Sequence, residues 1–320
     1  MSDKLFDITG KRVWVAGHTG MVGSALVRRL QREDCTILTA DRTEINLLSL
    51  TGVYRWVAAN KPDLILVAAG RVGGIQANAA QPVAFYNENT DIGSNIVNVA
   101  GLLKVSKLVY LGAPCIYPRD CTQPMREDDL MSGPLEPTNE AYAMAKLSTM
   151  ALARFYRQQE GHDFINVIPT NLYGPGDSVD PTKTHVVPAL IMKILQAKQD
   201  GGEIKIWGTG KPVRELMHVD DAADGILFAA ENWSHQNPIN IAGGETVSIK
   251  QLFEALAVVM DFSGGVSFEY ANSDGMPRKQ LDGRAMTVLG WKPRIALHNG
   301  LRETYEWIKR ELERRKNVEG

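Results

Sequence analysis

Short apolar runs bounded by polar residues recur along the first half of the chain. Residues 12–16, 36–40, 63–68, 107–111 and 164–169 are mostly apolar without strict alternation. That pattern predicts strands buried on both faces, as in a parallel sheet covered by helices. Between them, residues 24–31, 89–103 and 139–159 carry apolar positions at helical spacing. Strands alternating with helices predict βαβ units and an α/β fold, here a Rossmann-like doubly wound parallel sheet. After residue 170 the pattern loosens. A polar loop with two prolines covers 174–184, a helix follows over 187–199, and a charged helix over 300–316 closes the chain.

Two local spacings carry candidate chemistry. Directly after the first strand come Gly17, Gly20 and Gly23, with His18, Thr19, Met21 and Val22 between them, and then a helix. A glycine-rich turn between strand and helix lets the backbone approach a pyrophosphate, which the helix N-terminus then holds. The second spacing is Tyr142 and Lys146 in the helix over 139–159. Four residues apart on a helix, the two side chains share one face. An ammonium beside a phenol favours the phenolate, so the pair predicts a Tyr142 pKa lowered toward neutrality and a candidate acid or base for a carbonyl/alcohol pair. We therefore expect a dinucleotide-binding domain over 1–170, also receiving about 214–231, and a smaller α/β substrate domain over 171–320.

Composition narrows the setting. With 44% hydrophobic and 22% charged residues, the 320-residue chain has the make-up of a globular protein with a large core. A net charge of −2 carries no nucleic-acid footprint. Cys35, Cys115 and Cys121 do not suggest a disulfide framework. The N-terminus lacks an apolar leader, and no apolar run approaches a membrane span. The expectation is a cytoplasmic protein. His18, His162, His185, His218, His235 and His298 show no metal-ligand spacing, so no metal is expected.

The glycine turn and the Tyr142/Lys146 pair together resemble the extended short-chain dehydrogenase/reductase family. Residues 68–75, 115–118, 136–140, 169–175, 185–190, 214–221 and 274–279 narrow the resemblance to the GDP-L-fucose synthase family, in that family's order and over nearly the whole chain. The resemblance implies NADPH-dependent 3,5-epimerisation and 4-keto reduction of GDP-4-keto-6-deoxy-D-mannose. It places Tyr142 and Lys146 at the reduction, Cys115 and His185 as the acid/base pair of the epimerisation, and Asn171, Lys193, Trp207, Arg214 and Lys279 on the GDP-sugar. Judged as residues alone, Cys115 also fits a buried structural cysteine and His185 a residue of a polar loop before a helix.

The resemblance further places the cofactor on Gly17, Thr19, Gly20, Met21, Val22, Gly23, Arg42 and Lys146. By residue chemistry Asp41 and Arg42 pull in opposite directions, since an acidic group there accepts from a ribose hydroxyl and an Arg accommodates a 2′-phosphate. The family carries an Arg at position 42, which implies NADP(H), but often a second basic residue where this chain has Thr19. It also carries a Ser or Thr after Gly112, where this chain has Ala113 followed by Pro114. That leaves three readings: the full activity, a sister epimerase/reductase on another GDP-4-keto sugar of the colitose or heptose type, and a reductase-impaired dinucleotide-binding protein. The family pairs its two long helices across a two-fold axis. A homodimer is therefore expected, with Ile92, Ile96, Val99, Leu147, Met150 and Leu152 at the contact.

Overall fold

The computed structural model describes residues 4–180, 184–269 and 276–319. Asp274 and Gly275 of the last family motif, and part of the loop over 174–184, lie outside the described residues. The first half runs β1 (Arg12–Ala16), α1 (Met21–Leu30), β2 (Thr36–Leu38), α2 (Leu50–Asn60), β3 (Leu64–Val67), α3 (Ile75–Ala80), α4 (Pro82–Leu102), β4 (Lys107–Leu111), α5 (Glu140–Glu160) and β5 (Asp163–Pro169). The second half runs β6 (Asn171–Tyr173), α6 (Val186–Asp200), β7 (Ile204–Trp207), β8 (Val213–His218), α7 (Val219–Asn232), β9 (Ile239–Ile241), β10 (Glu245–Ser248), α8 (Ile249–Val259), β11 (Val266–Glu269), β12 (Arg278–Lys279), α9 (Arg284–Val288) and α10 (Leu297–Glu319).

The central sheet has strand order β2-β1-β3-β4-β5-β9, every pair parallel. Successive side chains on a strand point to opposite faces, so each strand serves two cores. Trp14, Ile65 and Tyr110 pack with α2, α4 and α5, while Val13, Leu64 and Val109 pack with α1 and α7. This is the doubly wound arrangement expected from the apolar runs. Its sixth strand, β9, arrives from late in the chain, and α7 from the same region packs on α1.

The segment expected over about 214–231 thus divides. Its β8 stays in a second sheet, paired with β6 and β12 in parallel and with β10 antiparallel, while α7 covers the central sheet. The carboxylate of Glu215 on β8 is almost fully buried. It accepts from Thr170 Oγ1 at 3.0 Å, Gly243 N at 2.7 Å, Gly244 N at 3.0 Å and Leu281 N at 2.8 Å. One side chain therefore fixes the second sheet to the carboxyl end of β5 and to the turn after β9. Burial of this kind is tolerable because four donors replace water.

The long helices differ from expectation in one respect. Ile96, Val99 and Met150 are buried within the chain itself, and Ile92, Leu147 and Leu152 pack against the same core. Packing α4 and α5 on each other and on the sheet uses that face. The apolar side chains that α4 and α5 leave exposed are Val83, Tyr86, Leu102, Met144 and Phe155.

Candidate active site

The carboxyl ends of the central strands open into a cleft of about 1340 Å³, continued by α6, β7, β8 and the far end of α10. Ligands of doubly wound sheets sit at such an edge. The glycine turn after β1 forms one wall. A Cβ on Gly17 would stand 2.7 Å from the Ala69 Cα, and one on Gly23 would stand 2.0 Å from the Gly17 carbonyl oxygen. The turn therefore lies flat against the end of β3, and α1 starts close behind it. No side chain caps α1, no acidic residue occupies its first turn, and Met21 and Val22 line the cleft. Unpaired N–H groups at the positive end of a helix dipole suit a pyrophosphate, so the residues present fit a dinucleotide.

Tyr142 and Lys146 of α5 line the cleft next to Gly112, Ala113 and Pro114, the segment that follows β4. The Lys146 Nζ donates to the Leu111 carbonyl at 3.0 Å and stands 4.8 Å from the Tyr110 ring centroid and 5.8 Å from that of Tyr142. Burial works against the ammonium, but Tyr110 and Tyr142 more than offset it and raise the Lys146 pKa. The expected lowering of Tyr142 is not found. Burial, opposed by Lys146, pushes its phenol up to about 12. Spacing supplied the cation but not the desolvation, and the desolvation wins. At neutral pH Tyr142 is a phenol, equipped to give a proton.

Cys115 sits in a one-turn 3-10 helix behind Pro114 and is nearly buried. Burial pushes its thiol up, against the fields of Lys279 and Lys146. Lys279, on β12, is itself pushed down by burial. His185 stands at the N-terminal cap of α6 and lines the cleft. Its Nδ1 lies 2.9 Å and 3.1 Å from the two carboxylate oxygens of Asp177. That hydrogen bond, opposed by burial, raises the His185 pKa. Asp177 lies eight residues before His185 and no periodic pattern marks the pair, so the sequence alone does not point to it.

Asn171, Lys193, Trp207 and Arg214 all line the cleft. Asn171 Nδ2 donates to the Glu215 carbonyl at 3.1 Å, and Lys193 Nζ donates to the Lys205 carbonyl at 2.5 Å. Lys193 also stands 6.0 Å from the Trp207 ring centroid. The Arg214 guanidinium donates to the Val213 and Met276 carbonyls at 2.8 and 2.9 Å. Arg42 and Thr19 are exposed at the other end of the site and do not line the cleft. The neighbouring Asp41 folds into an Asx turn, its Oδ1 accepting from Thr43 N, Thr43 Oγ1 and Glu44 N.

The sequence matches the NAD dependent epimerase/dehydratase family over residues 13–242. It is 42% identical over 303 residues to a GDP-L-fucose synthase of Sinorhizobium fredii, spanning 94% of this chain and 96% of that protein. Among solved structures, a GDP-L-fucose synthetase from Naegleria fowleri bound to NADP superposes with a TM-score of 0.90 at 26% identity, covering 98% of this chain and 97% of that one. A GDP-6-OMe-4-keto-L-xylo-heptose reductase from C. jejuni superposes with a TM-score of 0.87 at 29% identity, covering 96% and 99%. With its nucleotide turn, its Tyr142/Lys146 pair and these relatives, the chain belongs to the NAD dependent epimerase/dehydratase family and, within it, to the GDP-L-fucose synthases.

Proposed function

We propose that this protein carries out NADPH-dependent 3,5-epimerisation and 4-keto reduction of GDP-4-keto-6-deoxy-D-mannose, giving GDP-L-fucose. The observation that carries the reading is one cleft lined by Tyr142, Lys146 and the Asp177-paired His185, under the uncapped N-terminus of α1. Gly17, Thr19, Gly20, Met21, Val22 and Gly23 would hold the pyrophosphate, Arg42 the 2′-phosphate, and Lys146 the nicotinamide ribose. The bound cofactor supplies a hydride to the C4 carbonyl carbon.

The chain's own residues supply the rest. The C4 ketone acidifies the hydrogens on C3 and C5. Cys115 and His185 take and return those protons. Burial holds Cys115 as a thiol at rest, and Lys279 and Lys146 favour its thiolate in turn. Tyr142, a phenol at neutral pH, stabilises the oxygen of the enediolate and protonates the C4 alkoxide. Lys193, Arg214 and Lys279 bind the diphosphate, with Asn171 on the sugar and Trp207 against the nucleoside. Residues 1–170 would act as the nucleotide-binding domain, with α7 returning to cover it, and residues 171–320 as the substrate domain. We assign the enzyme to the cytoplasm, where its three free cysteines stay reduced. We also assign it a homodimeric state, through the face of α4 and α5 that carries Tyr86, Met144 and Phe155.

The test is NADPH oxidation with the purified 4-keto sugar nucleotide and identification of the product by NMR. GDP-L-fucose supports the reading. Turnover only with a 3-deoxy or heptose 4-keto sugar would favour the sister activity, and NADPH binding without oxidation the reductase-impaired reading, to which Ala113 lends specific support. A monomer mass by light scattering at micromolar protein would overturn the dimer.

A further inference from the structure

We propose that Asp177 is a positioning residue for the epimerisation, holding the His185 ring by Nδ1 so that Nε2 is the nitrogen that exchanges protons with the sugar. The inference rests on the acid/base role given to His185 above. Asp177 is not at the surface like its partner. Its side chain is 3% exposed and that of His185 43%. A carboxylate this buried needs donors, and among the described residues it has two, the Ser178 N–H at 2.7 Å and the His185 ring at 2.9 Å. Since a carboxylate only accepts, Nδ1 is the protonated nitrogen in both ring states, which leaves Nε2 to gain and lose the proton.

The loop that carries Asp177 is fixed independently of His185. Gly176 has φ +93, and a Cβ there would stand 3.1 Å from the Cα of Met21 and from Ser24 Oγ. Only glycine combines that backbone with that approach. The turn is therefore pressed against the first turn of α1, the same turn that forms the pyrophosphate wall. Asp177 references the histidine to the nucleotide site, although His185 itself begins an element of the second half. Among the described residues, α5, α6, β8 and α10 bring Lys146, Lys193, Asp200, Arg214, Lys309 and Glu313 to the cleft, and Asp177 is the charged group hydrogen-bonded to the ring. The pairing favours the imidazolium, the state in which Nε2 carries a proton to give. Its Nε2–H bond breaks as the new C–H bond forms on the enediolate, and Nε2 is recharged from solvent.

The experiment follows solvent deuterium entering C3 and C5 of GDP-4-keto-6-deoxy-D-mannose, without NADPH, in wild type, Asp177→Asn and His185→Asn. Asparagine keeps the size but not the charge. Asp177→Asn should slow incorporation about 10- to 100-fold, the usual effect of losing one charge-assisted hydrogen bond. It should also move the pH profile of exchange to lower pH, with NADPH affinity and melting temperature near wild type. Loss of exchange in His185→Asn with unchanged rate and profile in Asp177→Asn would overturn this inference and leave the functional reading standing. Undiminished exchange in His185→Asn would instead remove the role on which it rests. If Asp177→Asn does not fold, the ¹⁵N imidazole shifts of labelled wild type decide. A protonated Nδ1 and an Nε2 that titrates above 6.5 support the proposal. The opposite tautomer, or titration at or below that value, refutes it.

Discussion

Restoring a hydroxyl at position 113 is the perturbation that tests the reductive half most directly. Ala113 lines the cleft beside Tyr142, between Gly112, whose N–H donates to the Val167 carbonyl at 2.8 Å, and Pro114, which opens the 3-10 turn. Its backbone is extended, φ −156 and ψ 156, which any L-residue adopts. Ala113→Ser therefore adds one oxygen with no backbone rearrangement, and its effect on stability should stay within about 0.5 kcal/mol. The nearby hydroxyl of Thr170 is already committed, since it donates to Glu215 at 3.0 Å. Of the Asn171 amide, one N–H is committed to the Glu215 carbonyl. A second donor beside Tyr142 on a developing oxyanion is worth about 2.7–4 kcal/mol, or roughly 10²–10³ in rate. The gain should appear in kcat rather than KM, because the bond strengthens as charge builds on O4. Single-turnover NADPH oxidation with pre-bound 4-keto sugar nucleotide measures it. An unchanged single-turnover rate would refute the reasoning and mean that another group already stabilises the alkoxide.

Tyr142→Phe should abolish NADPH oxidation while leaving NADPH affinity, measured by fluorescence titration, within about threefold of wild type. Gly23→Ala places a methyl 2.0 Å from a backbone oxygen that cannot move aside; it should cost about 1–3 kcal/mol of stability in a denaturant melt and weaken NADPH binding at least about tenfold. Asp163→Asn should cost about 3–5 kcal/mol at neutral pH by leaving the fully buried Lys107 without its carboxylate. Burial opposes ionisation of Asp163, but Lys107, Ser234 and Arg157 together hold its pKa below 3.8. Its contribution is thus present in full above the unfolded value and is lost as pH falls through the lower folded one. The Asn variant should show a correspondingly shallower acid limb in stability against pH.

What the sequence yields follows from range. The expected β1, β4 and β5 fall within a residue of where they lie, because a strand covered on both faces is apolar along most of its length. Helix α4 starts at Pro82, seven residues before the expected 89, because Pro82 acts as the first helical residue rather than as a breaker. Strands β6 to β12 hold between two and six residues each, and several alternate or face solvent, so no window of the sequence marks them. The two local spacings are legible for the opposite reason. The glycine turn and the Tyr142/Lys146 pair are local, and backbone geometry alone brings their members together. The Asp177–His185 and Glu215–Thr170 contacts depend on loops and strand pairings that no spacing encodes. The Tyr142 pKa failed for a related reason, since a neighbour can be read from spacing but burial cannot.

The polar groups of the cleft fall into two kinds. Lys193 and Arg214, which the reading assigns to the diphosphate, already donate to backbone carbonyls at Lys205, Val213 and Met276. Binding the nucleotide sugar would exchange neutral acceptors for charged oxygens, which make shorter and stronger bonds with the same donors. Burial meanwhile pushes the Lys193 pKa down, and an arriving phosphate would reverse that push. These cations are thus held in place before substrate arrives, and little side-chain entropy remains to be lost on binding. His185 belongs to the second kind. One nitrogen is fixed to Asp177, and the side chain, which lines the cleft, is still 43% exposed. In the proposed assignment Lys193 and Arg214 are tied down by the scaffold, whereas His185, proposed to move a proton, is held at Nδ1 and left accessible over the rest of its ring. This division favours a site built to run proton transfers on a bound sugar over one that only holds a nucleotide, and it does so independently of Ala113.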